Sequence, residues 1–161
     1  MTTTTAPAFA EFDAVTNAGP MARSDFARMI GADAIETLAL GEGYLRQRLT
    51  IPESARAGFS AVFSGTFACW VDWVGCWVIA AGKHGEEARD LLDRVRTQGI
   101  TVDIIGNTTS PTIILESRVD SHTERTAHVT VNILEEDATP IAVGRARLAY
   151  ARKSPLPAGE G

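Results

Sequence analysis

Cysteine is scarce in this chain, with Cys69 and Cys76 the only two among 161 residues. On one helix they would lie seven residues apart, about 10 Å along the axis, and could not bridge each other. No internal disulfide is expected, which suits a reducing compartment. Their spacing is not a zinc pattern, and His84, His122 and His128 are scattered among polar neighbours. Neither a metal site nor another cofactor is expected. Basic runs are missing as well. Lys and Arg number 15 against 20 Asp and Glu, for a net charge of −5 and a pI near 5.2, which argues against nucleic acid as the main partner. The most apolar stretch, Thr66 to Gly82, has 17 residues. That is short for a bilayer span, where a central Asp would cost roughly 2.5 to 3.5 kcal/mol. The opening MTTTTAPAF has no basic start followed by an apolar run, so neither signal peptide nor anchor is expected, and the expected location is cytoplasmic. The G-x-S-x-G elbow of many serine hydrolases is also absent.

What is present centres on FSGTFACWVDWVGCWVIAAG, Phe63 to Gly82, in which Asp72 is the sole charge. At 100° per residue, Gly65, Ala68, Cys69, Asp72, Gly75 and Cys76 share one face, while Phe67, Trp70, Val74, Trp77 and Val78 lie opposite. The bulky face suits a core. The small face lets another backbone or a thin ligand approach, and it carries the carboxylate in an apolar surround. Gly65, near the helix start, is on the same side, where free N–H groups can hold a developing oxyanion.

The rest of the chain wraps this helix. Residues 1–20 and the tail 154–161 are rich in Thr, Pro, Gly and Ala and are expected to be poorly ordered, leaving 21–153 as one domain. SDFARMIG from Ser24 predicts a short helix stopped by Gly31. Gly41-Glu42-Gly43 separates two pairing stretches, and Leu45, Gln47, Leu49 and Ile51 alternate with Tyr44, Arg46, Arg48 and Thr50. Residues 83–98 predict an amphipathic surface helix capped by Gly99, and strands are predicted over 101–107, 112–120, 126–134 and 140–151. The strands read as a meander. An antiparallel sheet curled around one hydrophobic helix, an α+β fold, satisfies this order.

Two motifs carry a resemblance. Phe63-Ser64-Gly65 is followed, six residues on, by Asp72, and Thr101-Val102-Asp103 by Asn107 and Pro111. Over roughly Phe26 to Arg152 the chain resembles the hotdog-fold acyl-CoA thioesterases of the PaaI-like branch. Their usual motifs are His-Gly-Gly, six residues and Asp, and Thr-Val-Asp, three residues, Asn, three residues and Pro. Phe63 and Ser64 depart from the first of these. The resemblance implies an acyl-CoA substrate and a homodimer or homotetramer with sites at the subunit interface. It also implies that the Gly65 amide holds the thioester carbonyl while Asp72 from the partner subunit serves as base or nucleophile. The alternative is a non-catalytic hotdog module that binds an acyl thioester or serves as an assembly unit.

Each candidate has a plainer reading. Asp72 could be a satisfied structural carboxylate, although costly buried charges gather at functional sites. Ser64 reads as a helix N-cap more readily than as a nucleophile. Asn107 either contacts substrate or ties down a strand end. The cysteines read as small hydrophobes, and the three tryptophans as core or interface before acyl-pocket lining. Arg118, His122, Arg125, Arg147 and Lys153 are candidates for coenzyme A phosphates.

Overall fold

A helix stands where composition suggests there is little to bury. The structure, a computed structural model, describes residues 6–17, 19–58 and 61–151, and α1 occupies Ala6–Thr16. Phe12 is buried in the core, with Phe9 and Val15 packed against it. The expectation of an unstructured 1–20 segment is therefore wrong for this stretch. Three apolar side chains at three-residue spacing make an amphipathic stripe that the surrounding Thr, Ala and Pro disguise, and burying Phe12 alone contributes about 1.5–3 kcal/mol. Asp13 fastens the helix by accepting a hydrogen bond from Thr37 Oγ1 at 2.8 Å. Residues 1–5 and 152–161, with Lys153 and the tail from 154, lie outside the described residues.

A 3-10 turn, Pro20–Arg23, leads to α2, Asp25–Ile30. As expected, Ser24 caps α2 by accepting from Ala27 N at 3.1 Å, and Gly31 ends it at φ 78°. A Cβ on Gly31 would also come within 2.6 Å of Thr50 O, so conformation and space both demand glycine there. The hairpin β1 (Glu36–Gly41) and β2 (Tyr44–Thr50) turns at Gly43, φ 63°. Leu45, Gln47 and Leu49 of β2 point into the core, as the alternation predicts. Gln47 is satisfied in part by donating to Thr37 Oγ1 at 3.3 Å.

A two-strand ribbon, β3 (Arg56–Ala57) and β4 (Ala61–Val62), delivers the chain to the central helix α3, Ser64–Val78. Of its bulky face, Phe67, Trp70, Val74 and Val78 are fully covered as expected, whereas Trp77, expected opposite Asp72, reaches the same cleft as that carboxylate. Trp70 Nε1 donates to Ile30 O at 2.7 Å, satisfying the one polar atom this ring brings inside. The sheet approaches α3 so closely that a Cβ on Gly144 would lie 2.1 Å from Val71 Cγ2.

After α3 the predicted boundaries shift. Helix α4 covers only Gly85–Arg94, and Val95 already opens β5, Val95–Ile104. The expected helix to residue 98 with Gly99 as its cap is wrong. Val95 and Thr97 are β-branched and pair with Tyr150 and Leu148 of the last strand, and Gly99 adjoins a bulge instead. The remaining strands are β6 (Thr112–His122), β7 (Thr126–Leu134) and β8 (Pro140–Tyr150). The sheet order is β1-β2-β6-β7-β8-β5 with every pairing antiparallel. Only β6 to β8 form the predicted meander. Because α3 and α4 carry the chain across the sheet, β5 lands beside β8 at the far edge rather than next to β6. No helix among the described residues is long and apolar enough to cross a membrane.

Candidate active site

The start of α3 is built by neighbours distant in sequence. Phe63, extended at φ −64° and ψ 128°, is the N-cap residue, without a side-chain cap bond. Ser64 is thus the first helical residue and not the cap predicted for it, because Phe63 N, bonded to Ala55 O at 3.0 Å, holds the turn one residue earlier. Thr66 N closes the first turn on Phe63 O at 2.8 Å, while Gly65 N finds no partner among the described residues. The Phe63 side chain is 61% exposed and folds back over the helix start. A Cβ on Gly65 would sit 2.9 Å from its Cε1.

Asn107 sets the approach to this turn. Its Oδ1 accepts from Val62 N at 2.9 Å and from Thr108 N at 2.8 Å, and its Nδ2 donates to Val62 O at 3.1 Å. Of its two sequence readings, these bonds favour the strand tie. The loop beyond is held by Arg56, which donates to Ser110 O at 2.7 Å.

Asp72 sits two turns further along α3. It was expected in an apolar surround; in the single chain it is exposed and accepts a hydrogen bond at Oδ1 from Thr97 Oγ1 at 2.5 Å. Cys76 Sγ lies 3.5 Å from the same hydroxyl. With the hydroxyl proton directed at the carboxylate, the remaining contact is S–H to oxygen, giving a relay Cys76 to Thr97 to Asp72. Burial pushes the Cys76 thiol up to about 11, the Asp72 charge adding to the rise and Arg96 opposing it. It therefore stays a protonated donor at neutral pH and not a nucleophile. Cys69 is raised too, by burial and then by the Asp72 charge.

Thr97 was missed by the sequence reading, which placed it in a helix. The bulge in β5 explains both its geometry and its concealment. Inward-facing residues are Val95 and Thr97 before the bulge, but Ile100 and Val102 after it, so no single alternation spans the strand. The hydroxyl meets Asp72 on the near side of that switch.

Asp72 lies on the wall of a cleft of about 790 Å³. Trp73, Trp77, Leu92 and Val95 give it apolar walls, and Val15, Thr16 and Ala22 close one side. Trp73 and Trp77 meet edge to face, 5.6 Å between centroids, and Phe26 lies 6.4 Å beyond Trp73. Two tryptophans thus line this cleft while Trp70 alone is wholly core. Of the basic candidates, Arg118 stacks over the Tyr44 ring at 5.0 Å and His122 meets the Tyr150 ring edge-on at 5.7 Å. Arg125 and Arg147 are exposed, away from the cleft lining.

Gly65 and Asp72 share a face but stand seven residues apart, about 10 Å at 1.5 Å per residue. An oxyanion donor and an attacking group must each reach the same carbonyl at about 3 Å. One chain brings the two onto one side of the helix without bringing them onto one carbonyl.

This architecture, an antiparallel sheet curled about one apolar helix, is the hotdog fold. No family model matches the chain, and no curated protein matches it in sequence. Solved structures do. Thioesterase superfamily member 2 from Mus musculus aligns over 89% of this chain and 97% of its own, at TM-score 0.71 and 12% identity. The E. coli PaaI protein from the phenylacetic acid degradation operon aligns over 89% and 97%, at TM-score 0.66 and 15% identity. A hypothetical thioesterase from Streptococcus pneumoniae, solved with coenzyme A, aligns over 76% and 90%, at TM-score 0.63 and 9% identity.

Proposed function

We propose that the protein hydrolyses an acyl-CoA thioester to a free acid and coenzyme A. The observation that carries this reading is the Asp72 carboxylate, oriented by Thr97 on the wall of a tryptophan-lined cleft that Arg89 and Arg96 also border. The Gly65 N–H polarises the thioester carbonyl. Asp72 takes a proton from water as its oxygen bonds to the carbonyl carbon. The C–S bond then breaks, and the departing thiolate is protonated by the carboxyl group so formed. In the other version an Asp72 oxygen attacks the carbonyl carbon and the C–S bond breaks, the thiolate leaving; water then hydrolyses the resulting anhydride to the free acid and the Asp72 carboxylate, its released proton going to the thiolate. The 10 Å separation argues for a homodimer or homotetramer in which Gly65 of one subunit faces Asp72 of another, at a site between subunits. The coenzyme A in the Streptococcus pneumoniae structure supports the substrate class, and we place the enzyme in the cytoplasm.

One feature favours a second reading, a hotdog module that binds acyl thioesters or assembles without turnover. Phe63 covers the helix start with a ring that offers no donor, at the position where the resembling family carries His. Release of thiol from a panel of acyl-CoAs, compared between the native chain and Asp72→Asn, separates the two. Release that the Asn variant abolishes supports hydrolysis; binding of acyl-CoA with no release by either chain supports the module.

A further inference from the structure

The cleft at Asp72 is not the only cavity that α1 borders. A second, of about 350 Å³, has Phe12, Leu40 and Ala88 among its apolar lining and Glu11, Lys83 and His84 among its polar lining. Among the described residues, Val15 is the one that lines both. Helix α4 runs past both as well, with Ala88 in the smaller cavity and Leu92, one turn on, in the larger. Val15, half-buried, stands at the seam where α1 meets α4.

The seam is fastened from both sides. Glu11 of α1 accepts from Gly85 N at 3.2 Å and lies 3.1 Å from His84 Nδ1, at the start of α4. Asp13 is held by Thr37 of β1. With α1 tied to its neighbours at both residues, the Val15 side chain is held where the two linings meet.

We propose that Val15 is a specificity-determining residue, a partition that limits how far a straight acyl chain extends from Asp72. This rests on the acyl-thioester reading above. A chain short enough to stay among Trp73, Trp77 and Leu92 does not meet the partition. A longer one must pass position 15 to reach the Phe12 and Leu40 lining, so it is disfavoured by a larger side chain and favoured by a smaller one.

The test uses the full chain and a straight-chain series from butyryl-CoA to palmitoyl-CoA, with Val15→Ala and Val15→Leu. The ratio of kcat/KM for the longest to the shortest substrates should rise about 10-fold or more in Val15→Ala and fall in Val15→Leu. Loosening of α1 would move both variants the same way, so opposite shifts identify a partition. Affinities for non-hydrolysable alkyl-CoA thioethers of the same lengths, measured in parallel, separate this inference from the hydrolytic one. Opposite affinity shifts without thiol release from any member would sink hydrolysis and keep the partition. An unchanged length profile in both variants, or no binding of any thioether, would overturn it.

Discussion

The two faces of α3 differ in what fills them. The bulky face is closed by residues that the sequence itself marks as core: Phe67, Trp70, Val74 and Val78 are fully buried. The small face divides: Gly75 backs onto Ala146 and Val129 of the sheet, while Asp72 and Cys76 open on a cleft walled by parts of the chain that no local pattern links to them, namely the end of α1, α4 and the first residues of β5. Periodicity predicts what a helix turns inward but not what arrives on its other side. In this chain the first face contributes stability and the second holds the candidate chemistry, so substitutions on each should leave a different signature.

The largest effect is expected on the small face. Asp72→Asn keeps the shape, removes the charge, and should lower turnover by about 10² to 10⁴ or more. Because Asp72 is exposed in the single chain, its unfolding midpoint in denaturant should stay close to that of the native protein. Full turnover in a folded Asn variant would end the catalytic assignment. The mirror result belongs to Trp70→Ala, which empties a fully buried site and strands Ile30 O. It should cost about 3–5 kcal/mol in equilibrium denaturation. A loss below about 1 kcal/mol would mean the bulky face does not hold the fold as its burial implies.

Thr97→Val is smaller and sharper. The shape is retained and only the hydroxyl on Asp72 goes, so stability should change by no more than about 1 kcal/mol. Turnover should fall about 10-fold through kcat, with KM little moved, because the carboxylate loses its orientation and not its substrate contacts. Thr97→Ser should restore most of it. A purely structural hydroxyl would show no such split between kcat and KM.

How much of this was legible is itself divided along the two faces. The hairpin at Gly41-Glu42-Gly43, the Ser24 cap, the Gly31 stop and the bulky stripe of α3 are local signals, written within a few residues of where they act. Gly65 and Asp72 were readable as candidates because they share one helix. Thr97 was not, because its strand changes inward parity at a bulge and the preceding charged residues continue a helical pattern. The α1 wall was hidden by composition, since Phe9, Phe12 and Val15 show their value only against β1 and α4. The role of Asn107 turned on partners at Val62, 45 positions back, a pairing that only the ribbon before α3 creates.

The smallest expected effect tests whether Cys76 belongs to the small face's electrostatics. With its thiol pushed up to about 11, Cys76 should alkylate at pH 8 about 100-fold more slowly than an ordinary free thiol, because thiolate is the reactive form. The same shift weakens the fold in alkali. A thiol raised in the folded state contributes its full stability below the unfolded value near 9.0, and that contribution is lost as pH climbs towards about 11. Asp72 enters as a secondary cause after burial, so Asp72→Asn should quicken Cys76 alkylation only by a small factor. Cys69, whose thiol the same charge also raises, should quicken too. Mass-spectrometric rates for both cysteines in one sample make the comparison internal. If neither rate responds to the loss of the carboxylate, the Asp72 charge is screened from both thiols, and the Cys76–Thr97–Asp72 relay is a packing contact without electrostatic consequence.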